Sequence, residues 1–202
     1  MGPLLLIATT NVGKFREFCE LLRDLPVVLR SLSEFPGAPP VREDGETYRA
    51  NAIHKALTLA RWSRCATLAD DSGLEVDALG GAPGLRSARY AGSPQDAQAN
   101  IEKLLAALAG IPPAERTARF RCVIAVACPD GATLTAEGSC EGRILDQRCG
   151  GDGFGYDPIF FYPPAGMTFA AMPAAAKNRV SHRARACAAL RKELLGFLSA
   201  HA

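Results

Sequence analysis

The sequence predicts an α/β protein: a mixed β-sheet flanked by helices, folded as one domain over residues 1–202 that forms two lobes. Three observations carry that prediction. The chain opens as strand, loop and helix, and strand and helix patterns alternate through its first third. The strongest strand pattern, Ala118–Cys128, turns through Pro129-Asp130-Gly131 into Thr133–Glu137, a hairpin that adds antiparallel pairing to a parallel opening. No repeat, low-complexity tract or linker divides the chain.

Leu4-Leu5-Leu6-Ile7-Ala8 is short and apolar on both faces, which suits a central strand covered on both sides. Thr9 to Lys14 then leads into a helix with Phe15, Phe18, Leu21, Leu22 and Leu25 at three-to-four spacing, closed by Pro26. Val27–Leu29 reads as a second strand, followed by a loop rich in Pro and acid that ends near Glu43-Asp44-Gly45-Glu46. From Tyr48 to Arg64 the stripe Ile53, Ala56, Leu57 and Ala60 predicts a long helix, with Asn51 and Lys55 one turn apart on its polar face. Ala66–Ala69 is a brief buried strand that runs into Asp70-Asp71-Ser72-Gly73, and Leu74–Leu79 alternates like a separate, half-buried strand. A helix over 95–109 precedes the hairpin. A Gly-rich stretch, Gly150–Gly155, follows it, and the tail is helical, with Leu190, Leu194, Leu195 and Leu198 on one stripe.

Composition excludes several classes. Of 202 residues 48% are hydrophobic and 22% charged, so the chain has the makings of a core without metal or disulfide staples. The charge of +2, from 23 basic and 21 acidic residues, is too small to point to duplex nucleic acid or an anionic membrane. Seven cysteines, an odd number with no C-x-x-C pair, read as reduced thiols of a cytosolic protein. The apolar run near the N-terminus is too short for a membrane span and lacks the basic flank of a signal peptide.

Four segments concentrate chemistry. Where the first strand meets the first helix, backbone N–H groups and the positive end of the helix dipole converge and Lys14 adds a full charge, which favours phosphate. The segment is neither a Walker A loop nor G-x-G-x-x-G, and a plain turn with a surface lysine fits it equally well. Asp70-Asp71, at the end of a buried strand, are adjacent carboxylates that repel unless a cation or hydrogen-bond donors compensate them. A divalent metal would do so, with more carboxylate from Glu43 to Glu46, a segment that reads more simply as an acidic surface loop; an Asp capping a turn beside a solvated neighbour is the alternative. Mg²⁺ suits such a set, because it binds few carboxylates and shares itself with substrate phosphates. Gly153-Phe154-Gly155-Tyr156-Asp157 sets two aromatics on a glycine loop, either to sandwich a flat ring or to serve the core. Lys177 to Arg183 gathers three cations and His182 around a helix start that Ser181 can cap. No arrangement points to a covalent nucleophile, so the inventory favours a nucleotide and attack by water.

With those residues in view, the chain resembles the inosine triphosphate pyrophosphatases, or XTP/dITP diphosphatases, which clear non-standard purine nucleotides. The likeness runs through A-T-T-N-V-G-K from Ala8, E-D-G-E-T-Y-x-x-N-A-x-x-K-A from Glu43, A-D-D-S-G-L-E-V-D-A-L-G-G-A-P-G from Ala69, S-A-R-Y-A-G from Ser87, G-F-G-Y-D-P-I-F from Gly153 and K-N-x-x-S-H-R-A-R-A from Lys177. It implies an elongated mixed sheet, an active-site cleft between two lobes, a cytoplasmic homodimer, and hydrolysis of ITP, dITP and XTP to monophosphate and pyrophosphate with Mg²⁺. By motif, Thr9, Thr10, Asn11, Val12, Gly13 and Lys14 would hold the phosphates, with Lys55 adding charge. Glu43 and Asp71 would take the metal, Asp71 would also accept the proton of the attacking water, and Ser72 would touch substrate. Phe154, Gly155, Tyr156 and Asp157 would form the base and sugar pocket, with Lys177, His182 and Arg183 closing over the purine. Thr10, Ala50 and Ala174-Ala175-Ala176 depart from the family's usual pattern, and the departure at Ala50, where an acid is common, leaves Glu43, Glu46 and Asp70 all open as partners of Asp71.

Physical chemistry agrees with that assignment. Attack at the α-phosphorus makes pyrophosphate the leaving group, whose developing charge calls for cations. Donors aimed at a purine O6 would meet the amino group of ATP with the wrong polarity, a mismatch that can discriminate by ~10⁴. Two rivals remain at this stage: a Maf-like pyrophosphatase for modified pyrimidine or methylated guanine nucleotides, and a nucleotide-binding sensor without turnover.

Overall fold

The computed structural model describes residues 2–92 and 95–201. Its strands are β1 (Leu4–Ile7), β2 (Val28–Ser31), β3 (Ala66–Val76), β4 (Thr117–Ala127), β5 (Thr133–Ile144), β6 (Phe160–Tyr162) and β7 (Met167–Thr168), in one mixed sheet of order β2-β1-β3-β4-β5-β6-β7. The α-helices among the described residues are α1 (Val12–Leu22), α2 (Tyr48–Ser63), α3 (Ala97–Ala107), α4 (Ala174–Val180) and α5 (His182–Ala200). β1 pairs in parallel with β2 and with β3, as the βα opening predicts; β4 and β5, joined through Pro129-Asp130-Gly131 as the hairpin signal predicts, are neighbours in the sheet, and β6 pairs antiparallel with β5 and with β7. No described helix is long and apolar enough to cross a membrane.

The chain divides into two compact units. The first comprises residues 1–71, 122–138 and 183–202; the second comprises 72–121 and 139–182. In the first unit the sheet is apolar on both faces because helices cover both. Leu5, Ile7 and Leu68 pack with Phe18 and Leu22 of α1 and with Leu190 and Leu194 of α5. Ala8 and Ala69 pack with Ala52, Ala56 and Leu59 of α2. Since strand side chains alternate between faces, Leu68 and Ala69 already point to different helical layers. In the second unit Leu74, Val76, Ile101, Leu104, Phe120, Ile144, Tyr156, Phe160 and Phe169 form a separate core.

Ala66–Ala69 and Leu74–Leu79 are not two strands broken at Asp70-Asp71-Ser72-Gly73: β3 runs unbroken through these four residues and ends at Val76. Asp70 and Asp71 therefore lie in mid-strand and project to opposite faces. A carboxylate pair interrupts a buried strand only where nothing compensates it, and here each has partners on its own side. β5 likewise extends beyond Glu137 to Ile144.

Candidate active site

In the first unit, α1 starts where β1 ends. The Asn11 side chain caps the helix by accepting from the Lys14 backbone N–H at 3.0 Å, and Thr9 Oγ1 accepts from the Asn11 N–H at 3.1 Å. The cap aims the first turn of α1 so that the Lys14 side chain reaches β3, where Nζ donates to Asp70 Oδ2 at 2.9 Å. Thr9 is buried, Thr10, Asn11 and Val12 are exposed, and Gly13 is half-buried. The loop that expectation gives to phosphate thus has an accessible rim and one cation held against the sheet.

Asp70 carries no exposed side-chain surface, yet its carboxyl is held well below the usual carboxylate range. Burial alone would raise it; the charges of Lys14, Arg183 and Lys55 outweigh that cost. Arg183, itself 1% exposed, donates from Nη2 to Asp70 Oδ2 at 3.3 Å and from Nη1 to Glu17 of α1. Among the three carboxylates open as partners of Asp71, Asp70 therefore already answers to cations on the α1–α5 face.

Asp71 faces α2. Asn51 Nδ2 donates to its Oδ2 at 2.8 Å, and the same Asn51 accepts from the Gly45 N–H at 2.8 Å. One turn along α2, Lys55 Nζ donates to Glu43 Oε1 at 2.6 Å and to the Asp70 carbonyl at 3.3 Å. Burial works against the Lys55 charge, but Asp70 and Glu43 more than restore it and lift its pKa. The Asp71 carboxyl is pushed up to about 6 by burial and by the Glu43 charge, against the opposing hydrogen bond from Asn51. A carboxyl in that range accepts a proton readily near neutral pH, as a general base must. Glu46 is exposed on the same loop.

The second unit holds the other candidates. Ser72, the next residue of β3, is half-buried. Asp157 Oδ2 accepts from the Phe154 N–H at 2.9 Å and from Lys177 Nζ at 2.6 Å, a pair buried on both sides. Lys177 Nζ also stands 4.8 Å from the centroid of the Phe154 ring. Gly153 must be glycine: its φ is +80°, and a Cβ there would come within 2.3 Å of Asp157 Oδ2. Tyr156 is not a second jaw of an aromatic clamp. Its ring belongs to the core, and its hydroxyl donates to the Ser87 carbonyl at 2.9 Å. The half-buried Phe154 ring, under Lys177, is the accessible aromatic of the loop. Gly155, at φ +60°, lets the loop turn between the two rings. His182 is buried and stacks on Phe120 at 4.7 Å between centroids.

The sequence-predicted residues thus assemble as two groups, each in its own unit. One is a carboxylate–lysine set (Lys14, Glu43, Lys55, Asp70, Asp71); the other is an aromatic–cation set (Phe154, Asp157, Lys177, with His182 on Phe120). Arg183 falls in the first group, on Asp70 and Glu17. Asn51 and Glu17 bond to these residues without being marked as candidates by the sequence: the i, i+4 relation of Asn51 to Lys55 places both on one face of α2, but nothing local ties Glu17 to a residue 166 positions away.

Fold and site together define an α/β protein equipped for polyanion chemistry, and comparison with known proteins gives that class its family. The Ham1 family profile matches residues 5–193. The dITP/XTP pyrophosphatase of Shouchella clausii is 52% identical over 95% of this chain and 96% of its own, and that of Desulforamulus reducens is 54% identical over 90% of each. Among solved structures, a HAM1 protein from Coxiella burnetii superimposes with a TM-score of 0.84 at 38% identity, covering 98% of this chain and 99% of the other. The chain belongs to the Ham1 family.

Proposed function

We propose that this protein is a nucleoside-triphosphate pyrophosphohydrolase for non-standard purine nucleotides (ITP, dITP and XTP), which it converts to the monophosphate and pyrophosphate. The observation that carries the reading is the Asp71 carboxyl, pushed up to about 6 between Asn51 and Glu43, with Lys14 of α1 and Lys55 of α2 both bonded to the adjacent Asp70. Relatives of about 50% identity over nearly the whole chain bear the name dITP/XTP pyrophosphatase, which supports the same substrate class.

In this reading the phosphate end of the substrate belongs to the first unit. Thr9, Thr10, Asn11, Val12, Gly13 and Lys14 line the phosphates at the start of α1, Lys55 adds charge, and Ser72 touches substrate. The water oxygen bonds to the α-phosphorus, the bond from that phosphorus to the bridging oxygen of the β-phosphate breaks, and pyrophosphate leaves. Asp71 takes the proton of the water, while Lys14 and Lys55 stabilise the charge gathering on the leaving group. The purine and sugar belong to Phe154, Gly155 and Asp157, with Lys177 and His182 as donors towards a 6-oxo group; Tyr156 supports the loop from the core. Arg183, through its pairs with Asp70 and Glu17, fixes the first turn of α5 next to His182.

The donor set fits Mg²⁺. Glu43 and Asp71 stand close enough for the charge of one to raise the other, the situation a divalent cation relieves. No group of three or more metal-ligating side chains occurs among the described residues, and Mg²⁺ needs only one or two carboxylates when phosphates supply the rest. Glu43 and Asp71 would hold it, and bound there it would neutralise phosphate charge. A homodimer in the cytoplasm completes the proposal, as the family resemblance implies.

Hydrolysis in ¹⁸O-labelled water tests the chemistry: label is expected in the monophosphate, and label in the pyrophosphate would overturn attack at the α-phosphorus. For Lys14→Ala, weaker nucleotide binding is expected with an unchanged ratio of kcat/KM for ITP over ATP, since the lost contact is to phosphate. A shifted ratio would contradict that role.

A further inference from the structure

We infer that Asn51 is a positioning residue that orients the Asp71 carboxylate and ties the acidic loop around Glu43 to it; the inference rests on the reading of Asp71 as proton acceptor and metal ligand. Asn51 is 3% exposed, on the second turn of α2, a helix whose start is fixed by Thr47 accepting from the Ala50 N–H. An amide is the neutral side chain that donates at one end and accepts at the other. Here both ends are used: Nδ2 to Asp71 Oδ2 and Oδ1 from the Gly45 N–H, each at 2.8 Å. The donated bond fixes the rotation of the carboxylate about its last torsion, which is otherwise broad and two-fold. The accepted bond holds the loop two residues from Glu43, and the approach is so close that a Cβ on Gly45 would fall 2.7 Å from Asn51 Oδ1.

Lys55 repeats the arrangement one turn further on, joining Glu43 to the Asp70 carbonyl. The polar face of α2 therefore makes two rungs between the acidic loop and β3. The Lys55 rung sets charge; the Asn51 rung sets direction. A carboxylate displaced by even 1 Å from the line of attack loses rate on the order of 10²-fold, because the proton transfer and the approach of water both depend on it. Asn51 touches no reacting atom in this scheme; it acts through Asp71.

The test is a double-mutant cycle on ITP hydrolysis at saturating Mg²⁺ with wild type, Asn51→Leu, Asp71→Asn and the double variant, together with crystal structures of wild type and Asn51→Leu. Asn51→Leu is expected to lower kcat by about 10²-fold while KM for ITP moves by less than about threefold, and to add nothing in the Asp71→Asn background, where no base is left to orient. A loss that multiplies undiminished in that background overturns the inference, since a purely structural residue behaves that way. Asn51→Asp covers the case in which Asn51→Leu folds poorly: it keeps the acceptor for Gly45 but sets a carboxylate against Asp71, and wild-type turnover there overturns the inference. In the crystal, Asn51→Leu should rotate the Asp71 carboxylate and shift residues 43–46; an unmoved carboxylate overturns the inference whatever the kinetics. A wild-type protein that does not hydrolyse ITP overturns the functional reading instead, and the crystal comparison still decides whether Asn51 orients Asp71.

Discussion

Asp71→Asn is expected to lose ~10²- to 10⁴-fold in kcat on ITP while still binding the nucleotide, because it removes the proton acceptor and leaves the lysines in place. The same substitution should make the metal-free protein more stable at pH 8. The Asp71 carboxyl lies near 6 in the fold, above the ordinary value of 3.8. Between those values the folded state keeps a proton that the unfolded chain releases. The contribution of this group is thus fully present below about pH 4 and is lost as pH rises through about 6, a difference of about 2–3 kcal/mol. An asparagine pays no such penalty and can still accept from Asn51. Urea melts in EDTA at pH 8 and pH 4 check the sign: a gain in midpoint at the higher pH that fades at the lower is expected. A loss of stability at pH 8, or wild-type turnover, would remove Asp71 from the centre of the mechanism.

Arg183→Met should be the most destabilising single change at the site. Arg183 and Asp70 are buried together, with side-chain exposures of 1% and 0%, and Glu17 completes the pair from α1. Removing the guanidinium leaves Asp70 with one fewer cation and Glu17 without its Arg183 bond, and breaking a buried pair on one side costs about 3–5 kcal/mol. For a chain of this length that corresponds to a fall in Tm of about 6–20 °C. The low Asp70 pKa gives the pH dependence: its stabilisation exists above the ordinary carboxylate range and is lost as pH falls, so the deficit of the variant should shrink on acidification. Adding Asp70→Asn should restore part of the loss at neutral pH, since two neutral groups share the site more easily than a lone charge. Thermal melts of the single and double variants decide the matter, and an Arg183→Met midpoint within a degree of wild type would contradict the account.

How far the sequence reveals this molecule depends on whether a signal is local. β1, α1, α2 and the β4–β5 hairpin follow from hydrophobic periodicity, capping residues and a Pro-Asp-Gly turn, all contained in windows of a dozen residues. The path of β3 does not. Asp70-Asp71-Ser72-Gly73 has turn chemistry in isolation, and it stays in the sheet because Lys14, Arg183 and Asn51, which lie 56, 113 and 20 positions away, compensate the carboxylates. The family resemblance offers Asp71 and Glu43 as metal ligands; the division of labour between Asp70 and Asp71 is not legible in the sequence, since it depends on which helix lies over each face. Arg183 reads as one more cation beside His182, and only the packing of α5 against α1 shows that it serves Asp70 and Glu17. Tyr156 reads as a clamp residue because it follows Phe154 and Gly155 on a glycine-containing loop, whereas its packing and its hydroxyl bond to Ser87 make it part of the core.

The most direct test of the central claim is pyrophosphate release from ITP, dITP, XTP, GTP, ATP and a modified pyrimidine triphosphate, each with Mg²⁺ and with EDTA. Metal-dependent turnover of ITP, dITP and XTP, with the others slower by orders of magnitude, is the predicted result. Preferred turnover of the pyrimidine, or of ATP and GTP alongside ITP, would contradict the substrate class, and silence on every nucleotide would contradict catalysis itself.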